Sequence, residues 1–207
     1  MLQHVVKSYW YENELKQNTY IIELDDKCIL VDAGCPPNEI KRYTAKPISA
    51  VLITHAHFDH VTYIEEYDRL NIPIYVHKNA LQILSNEDLN ASNMFGQPKQ
   101  FHVENLQYID DGDIIDLGVE IRAYYTPGHS SDSMSYLIGN DLYSGDTLFS
   151  VAIGRYDLAT SNKDDLISSL KKLQKLKFNN LYAGHGRVSN FNEQQSNIDY
   201  WIKILQN

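Results

Sequence analysis

The sequence predicts an α/β fold in which strands are layered with helices. Short apolar runs of strand length recur along the chain, and segments of helical periodicity separate them. This alternation runs through both halves, with no tandem repeat, low-complexity tract or linker between them. The 207 residues are therefore read as one domain over residues 1–207.

Residues 18–24 (NTYIIEL) and Cys28–Val31 (CILV) read as strands on either side of a turn at Asp25-Asp26-Lys27. Residues 32–37 (DAGCPP) form a loop by their Gly and Pro content, and a short helix is expected over 38–43. Residues 48–54 (ISAVLIT) are continuously apolar, as in a strand buried on both faces. Residues 59–70 fit one helix, because Val61, Ile64, Tyr67 and Leu70 recur at helical spacing. A short strand over 74–76 and a short helix over 78–84 follow. Residues 85–100 are polar and aperiodic, and a loop of that length in a compact domain is commonly a lid or binding loop.

Residues 119–126 read as a strand ending at Pro127-Gly128. Met134–Ile138 and residues 142–144 form a hairpin around Gly139-Asn140-Asp141. Residues 163–176 form an amphipathic helix with a stripe of Leu166, Leu170, Leu173 and Leu176. Ser161 or Asn162 caps it, and Asp164 and Asp165 complement its positive end. Asn180–Ala183 is the last buried strand, and Ile198, Trp201, Ile202 and Leu205 line one face of the last helix.

Apolar residues make up 43% of the chain and charged residues 22%, the profile of a globular protein. The net charge of −9 argues against a nucleic-acid surface, which needs clustered Lys and Arg. No run approaches the ~20 apolar residues of a membrane span. The first residues (MLQHVVK) lack the apolar core of a signal peptide, so a cytoplasmic location is expected. Cys28 and Cys35 are too few for a disulfide framework and read as thiols, Cys28 as a small buried apolar residue.

Eight histidines are the compositional oddity, and three of them fall in Thr54-His55-Ala56-His57-Phe58-Asp59-His60. In extended chain, His55 and His57 point to one side; Asp59 and His60 then open a helix and add two more ligands. Such a string arises by chance about once in a thousand chains of this length. His129 follows Thr126-Pro127-Gly128, Asp146 follows Ser144-Gly145, and His185 lies in Gly184-His185-Gly186. Each sits where a strand ends beside glycines, at the edge where open sheets gather their chemistry. Imidazole and carboxylate suit zinc, iron or manganese, and a structural zinc site would be richer in cysteine. Seven such ligands fit two ions with open positions. His4, His77 and His102 have neither ligand spacing nor glycine context and read as non-ligands.

These motifs, with the stretch Ser144-Gly145-Asp146-Thr147-Leu148-Phe149 and the secondary motifs Asn90–Gly96 and Gly154–Asp157, resemble those of the metallo-β-lactamase superfamily, and most nearly its short, glyoxalase II-like members. The resemblance implies an αββα sandwich with the site along one edge of both sheets. It assigns His55, His57 and His129 to one metal and Asp59, His60 and His185 to the second, with Asp146 bridging. It places Asp32 as a hydrogen-bond partner behind a ligand. Arg155 falls where the resemblance places a cationic side chain that binds a substrate carboxylate, a task suited to the guanidinium fork.

The chemistry implied is that of a dizinc hydrolase in which a metal-bound hydroxide attacks the carbonyl of a thioester such as S-2-hydroxyacyl-glutathione. Asp59 could also accept the water's proton. The alternatives are a persulfide dioxygenase with one iron on His55, His129 and Asp146, a lactonase, a nuclease and a non-catalytic relic; the acidic balance argues against the nuclease and the complete ligand set against the relic. The expected partner is a small acyl thioester, with no nucleic acid or membrane.

Three departures from the family pattern stand out. Thr62 and Tyr63 follow the metal string where a Gly-Gly pair is usual, and Ser131-Asp132 replaces Pro-Gly after Thr126–Ser130. Asp132 is expected to take a positive φ in that turn. About twenty residues follow His185, so the C-terminal helical domain that holds glutathione in full-length glyoxalase II is expected to be absent.

Overall fold

The computed structural model describes residues 7–206. His4 therefore lies outside the described residues. The chain runs β1 (Lys7–Glu12), β2 (Asn18–Glu23), β3 (Cys28–Val31), α1 (Pro37–Ile40), β4 (Ile48–Leu52), α2 (Phe58–Val61), α3 (Ile64–Arg69), β5 (Ile74–His77) and α4 (Ala80–Leu84). A 3-10 turn, Ser92–Phe95, precedes β6 (Leu106–Ile109). Then follow β7 (Ile114–Asp116), β8 (Glu120–Tyr125), β9 (Met134–Ile138), β10 (Asp141–Gly145), α5 (Lys163–Leu173), β11 (Asn180–Ala183), β12 (Ser189–Asn190) and α6 (Phe191–Gln206).

The strands form two six-stranded sheets, ordered β1-β2-β3-β4-β5-β6 and β12-β11-β10-β9-β8-β7. Each sheet mixes directions: β3 to β6 are parallel neighbours in the first, and β10 pairs parallel with β11 in the second. Alternate residues of each strand face opposite ways and build three apolar layers. On the first sheet Ile21, Leu30 and Val51 face helices α1 to α4, while Ile22, Ile29 and Leu52 face the second sheet. On the second sheet Tyr136 and Tyr143 face inward, and Leu142 and Leu181 pack against α5 and α6. The architecture is the αββα sandwich expected. Among the described residues no helix is long and apolar enough to cross a membrane.

Two local expectations change. The helix expected over 59–70 is two helices, broken at Thr62 and Tyr63. The reason is docking of the first turn on its neighbours. Ala33 donates its N–H to the His60 carbonyl at 2.7 Å, and Tyr63 donates to the Ala33 carbonyl at 3.0 Å, so backbone groups that would continue the helix are used outward. The helix at 163 ends at Leu173 rather than 176, and of its two candidate caps Asn162 serves, accepting from the N–H groups of Asp164 and Asp165.

Candidate metal centre

Loops at strand ends along one rim of the sandwich carry the site. β4 leads through Thr54 into the His55–His60 string, β8 into His129, β10 into Asp146 and β11 into His185. His55, His57, Asp59, His60, His129 and Asp146 are buried, and His185 keeps 29% of its side chain exposed. The structure brings all seven together as three donor groups: His55, His57 and His129; His55, His60 and Asp146; and Asp59, His60 and His185. In each group one donor atom per residue lies within 4.8 Å of the others. Asp146 stands between the flanking groups, its Oδ1 3.3 Å from His60 Nε2 and its Oδ2 3.6 Å from His129 Nε2 and 3.5 Å from His185 Nε2. Asp59 Oδ2 lies 3.1 Å from His185 Nε2.

Hydrogen bonds behind the rings decide which nitrogen faces the centre. His129 donates from Nδ1 to the Arg155 carbonyl at 2.9 Å, and His185 from Nδ1 to the Lys16 carbonyl at 2.7 Å. His60 donates from Nδ1 to Asp32 Oδ2 at 2.8 Å. Thr54 gives its hydroxyl proton to Asp32, so it accepts from His55 Nδ1 at 3.2 Å. The Nε2 atoms of these rings are left to face inward. His57 is the exception: its Nδ1 points at His129 Nε2, 3.0 Å away.

Charge is divided unevenly across the cluster. Burial, then the neighbouring His60 and His57, hold His55 well below its ordinary value, and burial with His129 brings His57 down to about 3. Burial also lowers His129. Burial works against a charged His60, but Asp32, Asp146 and Asp59 outweigh it and hold the ring well above its ordinary value. His185 is raised in the same way by Asp59 and Asp146. For Asp146 and Asp59 burial pushes upward, and the positive His60 with its neighbours wins, leaving both lowered.

The buried atoms His55 Nε2, His57 Nε2, His60 Nε2 and Asp146 Oδ1 have no hydrogen-bond partner. Orphaned buried polar atoms are costly, and four in one place are the mark of a cluster built around a cation. The borderline and hard donor set fits divalent ions.

Asp32 lies against His60, and Thr54 N–H also donates to it at 2.8 Å. Its φ of 68° is left-handed, a conformation Asp tolerates. Asp132 departs from expectation: positive φ among described non-glycine residues occurs at Lys16, Asp32, Asn71 and Ala91 only. Its carboxylate is buried instead and accepts from Ala56 N–H, between His55 and His57, at 2.8 Å and from Ser130 Oγ at 2.5 Å. Burial pushes it up to about 6. The sequence reading missed this support, whose signal was an acidic residue where the family pattern has glycine. His77 stacks on Tyr125, with ring centroids 4.3 Å apart, and His102 is exposed; neither joins a donor group.

Five of the seven, His57, Asp59, His129, Asp146 and His185, line a cleft of about 210 Å³, shared with Arg155 and several apolar side chains. The Arg155 guanidinium is exposed and paired with Asp157 at 2.9 and 3.1 Å.

Residues 13–185 match the Metallo-beta-lactamase superfamily. A probable metallo-hydrolase, YqgX of Bacillus subtilis, is 34% identical over 83% of this chain and 86% of its own length. A hydroxyacylglutathione hydrolase of Francisella philomiragia subsp. philomiragia is 29% identical over 98% of this chain and 73% of its own. The crystal structure of the BLEG-1 B3 metallo-beta-lactamase superposes with a TM-score of 0.86 at 26% identity, covering 94% of this chain and 99% of that one. Fold, donor cluster and family match converge, and the chain belongs to the metallo-beta-lactamase superfamily, a metal-dependent hydrolase.

Proposed function

We propose that the chain hydrolyses acyl thioesters with two metal ions, zinc by its donor set and iron or manganese where supply dictates. The observation that carries this reading is Asp146, which stands within reach of His60 on one side and His129 on the other. In this reading His55, His57 and His129 hold one ion, Asp59, His60 and His185 hold the second, and Asp146 serves both. When bound, the ions supply Lewis acidity and lower the pKa of water toward neutrality.

The chain's own residues set the stage for that chemistry. Asp32 fixes the His60 ring, and the Arg155 and Lys16 carbonyls fix His129 and His185. Asp59, held ionised beside His60 and His185, is the candidate proton acceptor. Arg155 is the candidate for a substrate carboxylate, which would have to displace Asp157. A thiolate leaves without protonation, which suits a cleft whose described lining beyond the proposed ligands is Arg155 and apolar side chains. The Francisella relative, named for a thioester substrate, supports the same class.

Elemental analysis with a substrate panel tests the proposal. About two ions per chain are expected, with thioesters cleaved faster than a matched ester or lactone, and with chelation abolishing turnover. Hydrolysis that survives chelation overturns it. One iron per chain with oxygen uptake on a persulfide replaces it with the dioxygenase.

The protonation of the cluster adds a pH dependence. His60 and His185 are raised in the metal-free fold, so their contribution to its stability is full below the ordinary histidine value and is lost as pH rises through the raised one. Asp146 and Asp59 are lowered, so theirs is lost as pH falls. The metal-free chain is expected to have its highest Tm in weakly acidic solution. Metal uptake must expel the protons on His60 and His185, so apparent affinity rises with pH through and above neutrality. Thermal melts of stripped and loaded protein across pH check both signs: the gap between them should widen as pH rises.

A further inference from the structure

The walls of the cleft, apart from the five donors that line it, are Leu15, Ala91, Met94, Phe95, Leu158 and Arg155. Five of the six are apolar, and Arg155 already has its guanidinium on Asp157. Met94 and Phe95 sit at the tip of the Ser92–Phe95 turn with 61% and 42% of their surface exposed. The turn is not loose. Ala91 enters it at φ 63° and Gly96 leaves it at φ 68°. Ser92 Oγ accepts from Lys99 N–H at 2.9 Å, and Asn90 donates to the Lys99 carbonyl at 2.8 Å. Phe58, between His57 and Asp59, donates its N–H to the Asn90 carbonyl at 2.8 Å, and its ring lies 5.8 Å from that of Phe95. A braced turn thus holds two apolar side chains in water at the mouth of the donor cluster. Exposed apolar surface kept in place beside a reactive centre marks a contact for ligand, and a flexible methionine adapts to its shape.

The geometry points to an apolar acyl group as the part of the substrate that this cleft selects. The inference rests on the thioester reading and names its substrate class. The volume of about 210 Å³ is that of about seven waters, enough for an unbranched acyl chain of a few carbons beyond its carbonyl. It has no room for a peptidic thiol, which would stay largely in solvent. A hydroxyl on the acyl group would give up water, and the apolar walls beyond the donors, Leu15, Met94, Phe95 and Leu158, offer it no hydrogen bond in exchange. The simple acyl thioester is therefore preferred over the 2-hydroxyacyl one.

The test measures kcat/KM of the metal-loaded protein on thioesters of one small thiol: acetyl, butanoyl, hexanoyl and 2-hydroxypropanoyl. A gain of about threefold per added methylene is expected up to hexanoyl, with 2-hydroxypropanoyl below butanoyl. Calorimetric titration of the free carboxylates gives a readout apart from turnover, with hexanoate binding at least about tenfold tighter than acetate. The double variant M94S/F95S is expected to flatten both trends while retaining its metal content, and I204S, on the exposed face of α6, to leave them as in the parent. Cleavage without a chain-length trend, a preference for 2-hydroxypropanoyl, or an unchanged trend in M94S/F95S overturns the inference and leaves the hydrolase reading standing. No cleavage of any thioester overturns the reading beneath it.

Discussion

Replacing Asp146 by alanine is expected to lower kcat/KM by about a thousandfold or more, the scale of several kcal/mol of lost charge stabilisation. Among the described residues the carboxylate is the only negative group that faces His60, His129 and His185 together, at 3.3 to 3.6 Å. Its removal takes a donor from both proposed ions and strips His60 and His185, the two raised rings, of a counter-charge. Elemental analysis of D146A should find less metal than in the parent, while the far-ultraviolet circular dichroism stays that of the parent, since the apolar layers do not include it. Full metal content with parental activity would remove Asp146 from the centre. D146N separates charge from shape: it keeps the volume, and it too should lose most of its activity.

Gly184→Ala carries the second large effect. A Cβ at this position would lie 2.1 Å from Asp146 Oδ1, 2.6 Å from His60 Cε1 and 3.2 Å from the Gly145 carbonyl carbon. The first two atoms belong to proposed ligands, and the third is backbone of the neighbouring strand. The side chain that yields must be Asp146 or His60, and His60 is already fixed by Asp32. A displacement on the scale of an ångström in a donor is expected to cost about a hundredfold in kcat. Activity within about twofold of the parent would mean that this strand end is not packed against the centre as described. A small-residue control is available at Gly139, where a Cβ meets nothing within 4 Å, although its φ of 60° adds some strain.

The layers could be read from the sequence because buried strands carry their own signature. CILV is apolar at every position and ISAVLIT at five of seven, and the structure buries Cys28–Val31 on both faces, between helices on one side and the second sheet on the other. The strands that escaped are the outer ones. β6 and β7 are four and three residues long at sheet edges, and Tyr108 and Ile114 in them are half or more exposed, so no apolar pattern announces them. The break at Thr62 and Tyr63 was also hidden, because the contact that causes it is with Ala33, thirty residues away.

The donor cluster was visible for a different reason: imidazoles and carboxylates next to strand-end glycines have few structural uses. What orients them was mostly invisible. The Lys16 and Arg155 carbonyls do their work through the backbone, and any residue type offers a carbonyl. Arg155 joins the two: its side chain is what the sequence displays, and the group that touches His129 is its main chain. Asp132 is the reverse, a side chain judged by its backbone preference that instead ties the string to the loop after β8.

The origin of the donors has a mechanical consequence. Four come from the loop after β4 in the first sheet and the α2 turn that continues it, and three from loops of the second. Besides apolar side chains, a few hydrogen bonds join the sheets at this rim: Asn18 N–H donates to the Gly184 carbonyl and Met134 N–H to the Thr54 carbonyl, each at 2.7 Å, and the Tyr20 hydroxyl donates to the Ala183 carbonyl at 2.6 Å. A cation held from both sides is a removable rivet between the leaves, and it closes a chain loop running from His60 to His185. Emptying the rivet hole would leave that rim to those few hydrogen bonds, so resistance to proteases and the sharpness of melting would report on loading.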